Sequence, residues 1–255
     1  MTALENPPSF IIRTEAQKAA SDNGFRLERG VEGGWLRYSS TTAWGSVWIA
    51  GAGPNGPWFA SVDHGGVASE IGSFPSSPAA GPGIATFVFE TLSQLYAALD
   101  RIYRLAVSLP NAPLARFQAK TTALPRTTEA ERLMIQRIGQ DVFRDALMDY
   151  WGSRCPLTGI ADAELLRASH IEPWSECTDE KRLDVHNGLL LSALWDAAFD
   201  RGLVSFADDG TPLASPKLTG VARAELRIET TTPLRGLRDE HRANLVRHRA
   251  RHGFK

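Results

Sequence analysis

A chain of 255 residues with 43% hydrophobic content can bury a full core and is long enough for two domains. No apolar run approaches membrane-spanning length, and the start MTALENPPSF lacks a basic-then-apolar signal pattern, so a cytoplasmic protein without a membrane partner is expected. The two cysteines, Cys155 and Cys177, exclude a disulfide scaffold and a four-cysteine zinc site and are expected to be free.

The net charge of −1 argues against a nucleic-acid partner until its distribution is considered. Residues 1–110 carry −2 and residues 111–215 carry −5, whereas residues 216–255 hold 10 Lys+Arg against 4 Asp+Glu, or +6. Such a basic tail is either a solvated terminal helix or a phosphate-binding segment, with Arg242, Arg247 and Arg249 as candidate nucleic-acid contacts.

In chain order, a Pro-containing lead over 1–9 precedes a short helix from Thr14 to Asn23, closed by Gly24. Phe25–Arg29, Trp35–Ser39, Ser46–Ala50 and Trp58–Asp63 read as strands separated by Gly-rich turns, a compact, mostly antiparallel β-unit. Four of the seven tryptophans, Trp35, Trp44, Trp48 and Trp58, fall in this region. They either fill the core or line a recognition pocket, with Trp48 and Trp58 as candidates to stack on a base. Gly51–Gly56 matches G-x-G-x-x-G, but a strand follows where a dinucleotide site needs a helix, so it reads as a hairpin loop.

A Pro/Gly/Ser loop covers 72–83, Ile84–Glu90 reads as a further strand, and Thr91–Leu109 is an amphipathic helix with Leu92, Leu95, Leu99, Ile102 and Val107 at helical spacing. The expected division is therefore a β-rich domain over 1–110 with this helix closing it, a linker over 111–127, and a second domain over 128–255. Thr128 and Glu131 stand at capping-box spacing before a helix carrying Val142, Phe143, Leu147 and Tyr150.

The most informative stretch is Leu165–Phe206. A short apolar run ends in His170, a polar loop containing Pro173 and Trp174 leads to His186-Asn187-Gly188, and Leu189-Leu190-Leu191 precedes Ser192, which can cap a helix. Strand, loop, strand, helix is the economical reading. It places His170 at a strand end, and Asp196 and Asp200 four apart on one helix face. Trp195 and Phe199, also four apart, belong to the helix's core side, and His186 and His248 are secondary candidates or surface histidines.

This stretch resembles the HNH endonuclease family, whose ββα-metal unit cuts phosphodiester bonds. The resemblance rests on SHIEPW, HNGLLL and WDAAFDRGL, extends through the flanks YWGSRCPLTG and FADDGTPLASP, and covers roughly Gly139 to Pro216. It implies an α+β chain: an N-terminal antiparallel β-rich domain, a helical connector and a C-terminal ββα-metal domain. By that resemblance His170 is the general base, Asn187 holds the loop that orients it, and Asp196, nine residues after Asn187, takes the third motif position. Asp200 follows as a further metal ligand or as a salt-bridge partner of Arg201 or Arg167, and Ser169 is a weak ligand or positions a metal-bound water. Oxygen ligands favour Mg²⁺ or Mn²⁺.

The function implied is metal-dependent hydrolysis of double-stranded DNA, modified DNA included, by a restriction or modification-dependent defence nuclease. Two sites are needed to cut both strands at once, which points to a homodimer. The alternatives are a catalytically weak nucleic-acid-binding or regulatory protein on the same scaffold, and an RNA-cutting toxin.

Overall fold

Alternating apolar residues between Gly-rich turns produce the first half of the fold. In the computed structural model, which describes residues 3–77 and 79–254, the chain divides into two compact units, Met1–Ala112 and Pro113–Lys255. In the first, helix α1 (Phe10–Asp22) leads into strands β1 (Leu27–Glu32), β2 (Trp35–Ser39), β3 (Ser46–Gly51) and β4 (Trp58–Val62). Helix α2 (Gly65–Glu70), strand β5 (Ala85–Phe89) and helix α3 (Leu92–Ser108) complete the unit. The strands pair antiparallel in chain order, β1-β2-β3-β4-β5. As expected, the glycine-rich stretch turns the chain between β3 and β4: Gly51 ends β3, paired with Trp58, and residues 52–57 form the hairpin loop.

The register sorts side chains onto two faces. Leu36, Ile49, Ala60 and Phe87 are aligned partners across four strands, and helices α1 and α3 pack against the sheet. On the other face Trp35, Ala50 and Phe59 form a buried cluster that Leu4, Ala79 and Val88 cover in part. Trp48 also lies there, half-buried, with the Arg37 guanidinium 5.1 Å above its ring. Trp58 is 1% exposed, which corrects the expectation that it could stack on a base: β4 is buried along its length, and the ring is core. The exposed tryptophan of the four is Trp44, at 54%, in the β2–β3 loop.

Local boundaries differ where capping decides them. α1 begins at Phe10 rather than Thr14, because Ser9 has the extended conformation of an N-cap and its N–H bonds the Glu5 carboxylate. α2 was not expected from its Gly-Gly start; His64 caps it by accepting from the Val67 N–H. Residues 111–121, expected as linker, form helix α4 (Asn111–Thr121). Pro113 sits in its first turn, where the missing N–H costs no hydrogen bond.

The second unit continues with helix α5 (Glu129–Trp151), whose capping box joins Thr128 and Glu131 as the spacing predicts. Strand β6 (Leu166–His170), helix α6 (Asp179–Arg182), strand β7 (Gly188–Ser192) and helix α7 (Ala193–Asp200) follow. β6 and β7 are antiparallel, with His170 opposite Gly188. Strands β8 (Val204–Phe206) and β9 (Pro212–Ala214) form a hairpin, and helices α8 (Gly220–Glu225) and α9 (Asp239–His252) end the chain.

α5 lies directly on β7 because Gly188 has no Cβ; one there would sit 2.4 Å from Phe143 and 2.9 Å from Leu147. Trp195, Phe199, Phe206 and Leu245 are buried, joining α7, β8 and α9 in one core. Cys155 and Cys177 are free and buried.

Ser192 stands at the N-cap of α7 but makes no side-chain cap bond, unlike Thr128. Thr128→Ala should therefore destabilise the protein by about 1 kcal/mol, the usual worth of a cap. Ser192→Ala should cost less, and denaturant unfolding of both variants measures the contrast.

Candidate active site

β6, β7 and α7 bring the sequence-selected residues together. Ser169 and His170 end β6, Asp196 and Asp200 lie on successive turns of α7, and all four line a cleft of about 270 Å³. Pro173 and Trp174 from the β6–β7 loop and His248, Arg251 and His252 from α9 complete its wall.

His170 stacks on Phe143, ring centroids 3.8 Å apart, and meets the edge of Trp174 at 5.5 Å. Its Nε2 lies 2.9 Å from the Arg182 carbonyl. A carbonyl only accepts, so Nε2 carries the proton and Nδ1 of the neutral ring keeps its lone pair. Burial is the main cause holding the His170 pKa down at about 4; the Arg182 carbonyl opposes it and the Arg182 charge adds to it. The ring is thus neutral across the physiological range.

Asn187 is fully buried at the end of a 3-10 turn, Val185–Asn187. Its Oδ1 accepts from the Glu172 N–H at 2.9 Å, and its Nδ2 donates to the carbonyls of Glu172 and Lys181 at 3.3 and 3.2 Å. One amide therefore ties together both ends of the loop that presents the Arg182 carbonyl to His170.

Ser169 donates to Asp196 Oδ1 at 2.5 Å, so its hydroxyl proton is committed to orienting that carboxylate. Burial is the chief cause raising the Asp196 pKa; the Ser169 bond lowers it, the charge of Asp200 raises it, and Arg167 lowers it. Asp200 is exposed and approaches Arg201 at 3.7 Å.

The secondary histidines have structural partners. His248 Nε2 donates to the Phe199 carbonyl at 3.2 Å, leaving Nδ1 to accept from Ser205 at 2.9 Å. His186 is buried and bonds Asp184 through Nδ1 at 3.0 Å. Each tail arginine selected from the sequence also has partners within the unit. Arg242 donates to the Asp208 carbonyl and to Asp239, Arg249 to the Phe206 carbonyl and Asp208, and Arg247 to Glu172 and Asn244. The basicity of α9 is thus bound up with its own docking.

Sequence reasoning missed Phe143 beneath His170, the Arg182 carbonyl, and Glu172, which pairs with Lys181 and Arg247 at 2.5 Å each. Only the Phe143 position carried a signal, its helical apolar spacing.

Residues 155–207 match the family model described as HNH endonuclease. No match appears among curated proteins. Nucleases of the HNH type generally depend on a divalent metal and act on nucleic acid. The donor set fits one: two carboxylates share a cleft, and a cation would relieve their repulsion and the cost of burying Asp196. Among the described residues, no group of three or more His, Cys, Asp or Glu forms a closed cage.

Glu172 supplies a pH prediction. Burial pushes its pKa up, but hydrogen bonds from Lys181 and Arg247 outweigh this and leave it lowered. A depressed folded-state pKa contributes stability that is fully present above the ordinary Glu value and lost as pH falls through the folded value. Denaturation midpoints of the wild type and Glu172→Gln should therefore differ at pH 7 and converge as pH falls below the ordinary Glu range.

The second compact unit thus carries an HNH-type nuclease domain within residues 155–207, with the β6–β7–α7 elements at its centre.

Proposed function

We propose that the chain is a metal-dependent DNA endonuclease in which His170 is the general base. The observation that carries this reading is the neutral His170, its Nε2–H fixed on the Arg182 carbonyl, in one cleft with Asp196 and Asp200. His170 Nδ1 takes a proton from a water as its oxygen attacks phosphorus, and the 3′-oxygen leaves in line, giving 5′-phosphate and 3′-hydroxyl ends. Asn187 acts by holding the loop, Ser169 by aiming Asp196. Asp196, with Asp200, would hold Mg²⁺ or Mn²⁺, which when bound supplies charge neutralisation at the phosphate and leaving oxygen.

The first unit is the target reader in this proposal, and a restriction or modification-dependent defence role follows from joining a reader to a nuclease. Support comes from exposed Trp44 and from half-buried Trp48 under Arg37, aromatic surfaces of the kind that stack on bases. If Trp44 stacks, Trp44→Ala should weaken DNA binding by roughly 1–3 kcal/mol with little loss of stability. Double-strand cutting would need a homodimer or two successive nicks, which sedimentation with and without DNA separates.

The absence of a three-ligand cage among the described residues favours one second reading, a nucleic-acid-binding protein with weak catalysis. Mn²⁺ titration distinguishes them, since binding to the native state raises the melting temperature by mass action. The nuclease reading expects this rise and cleavage of DNA in preference to RNA. It also expects His170→Ala to lose at least about 10²-fold in rate while still folding. Cleavage by that variant at the wild-type rate would remove His170 from the mechanism, and preference for RNA would favour a toxin.

A further inference from the structure

The cleft has one wall outside the segment that matches the HNH endonuclease family. α9 begins more than thirty residues after Ala207, yet its last turn faces His170, Asp196 and Asp200. That turn is fixed in place. His248 stacks flat on Phe199 with centroids 4.0 Å apart, and His252 packs on His248 at 4.5 Å. The His252 ring occupies the space above Gly202, where φ is +63° and a Cβ would lie 2.1 Å from Nδ1. From this turn Arg251 reaches the loop side of the cleft. It donates through Nη1 to Glu176 Oε1 at 2.8 Å and through Nη2 to Oε2.

We propose that Arg251 is a substrate-binding residue, the cationic group that holds the phosphodiester opposite His170 and the two aspartates. This rests on the nuclease reading above. A phosphate entering the cleft meets the charges of Asp196 and Asp200, and the C-terminal end of α9 adds about half a negative charge. A divalent ion offsets the aspartates and leaves the helix end and the developing phosphorane charge. Among the described residues lining the cleft, Arg251 is the one Arg or Lys. Glu176 takes one N–H from each terminal nitrogen and leaves the others uncommitted.

The competing role is a clamp that merely fastens α9 to the loop. Exposure argues against it. The Arg251 and Glu176 side chains are 38% and 54% exposed, so water screens the pair and a phosphate oxygen can take over one of its bonds. Arg249 has the geometry of a clamp: only 16% exposed, it is bonded to both a backbone carbonyl and a carboxylate.

The test uses the full chain and a fluorescent DNA duplex. Binding is followed by anisotropy over a salt series with Ca²⁺, and cleavage with Mg²⁺ or Mn²⁺. Arg251→Gln should flatten the dependence of log K on log salt by about 0.9, one phosphate contact, and lower kcat/KM at least tenfold. Arg251→Lys should restore the slope. Glu176→Gln breaks the pair but keeps the cation, so it should retain the wild-type slope. Equal losses in Arg251→Gln and Glu176→Gln, or an unchanged slope in Arg251→Gln, would overturn the proposal while leaving the nuclease reading intact. A wild-type protein that neither binds nor cuts DNA or RNA, or a His170→Ala variant as active as wild type, would remove the nuclease reading and this proposal with it.

Discussion

The setting of His170 in the cleft depends on the buried amide of Asn187. Its three hydrogen bonds to the backbone of Glu172 and Lys181 close a loop that otherwise has little regular structure. That closure sets the Arg182 carbonyl against His170, and the carbonyl fixes the tautomer of the ring. The reach of a side chain without charge is what the position requires. An aspartate could accept from Glu172 but could not donate to the two carbonyls, and its charge would be buried without a partner. Leaving those backbone groups buried and unpaired costs about 1–3 kcal/mol each, and it would free the loop that holds His170.

Charge is arranged with the same economy. The acidic middle of the sequence supplies Asp196 and Asp200 to the cleft and Glu172 and Glu176 to the loop, whereas the basic end forms α9. Arg247 and Arg251 join α9 to the loop, and Arg242 and Arg249 join it to the turn after β8. The opposite signs that look like separate segments in the sequence are therefore complementary surfaces within one unit. Solvent-exposed pairs of this kind contribute little individually. The burial of Leu245, Asn244 and His248 gives α9 its hold, and the shielded Arg249 pair adds to it.

How much of this was legible in the sequence follows the range of each interaction. Periodicity and caps act within a few residues, so the four-strand pattern, the Thr91–Leu109 helix and the Thr128 capping box emerged nearly at their observed limits. The His170, Asn187 and Asp196 constellation was legible because one hairpin and one helix bring it together. What depended on contacts distant in sequence was not. Phe143 beneath His170 is 27 residues away, and Arg251 is 81 residues from it. Composition could show that the tail is basic but not which partners its arginines meet. Nor could it separate Trp58 in the core from Trp44 at the surface, since both occur in similar Gly-rich settings.

If Asp196 and Asp200 hold a metal as proposed, two carboxylates alone would leave its shell open. A closed cage of protein ligands would satisfy a metal without substrate, and a nuclease gains from an ion whose shell the phosphate completes. Here Ser169 holds one carboxylate in a half-buried position while Asp200 stays at the solvent edge. The first is costly to charge, the second exposed to water. In the nuclease proposed above, a cation held by this pair would need an incoming oxygen anion to complete its shell, so binding of the nucleic acid would be coupled to assembly of the charge.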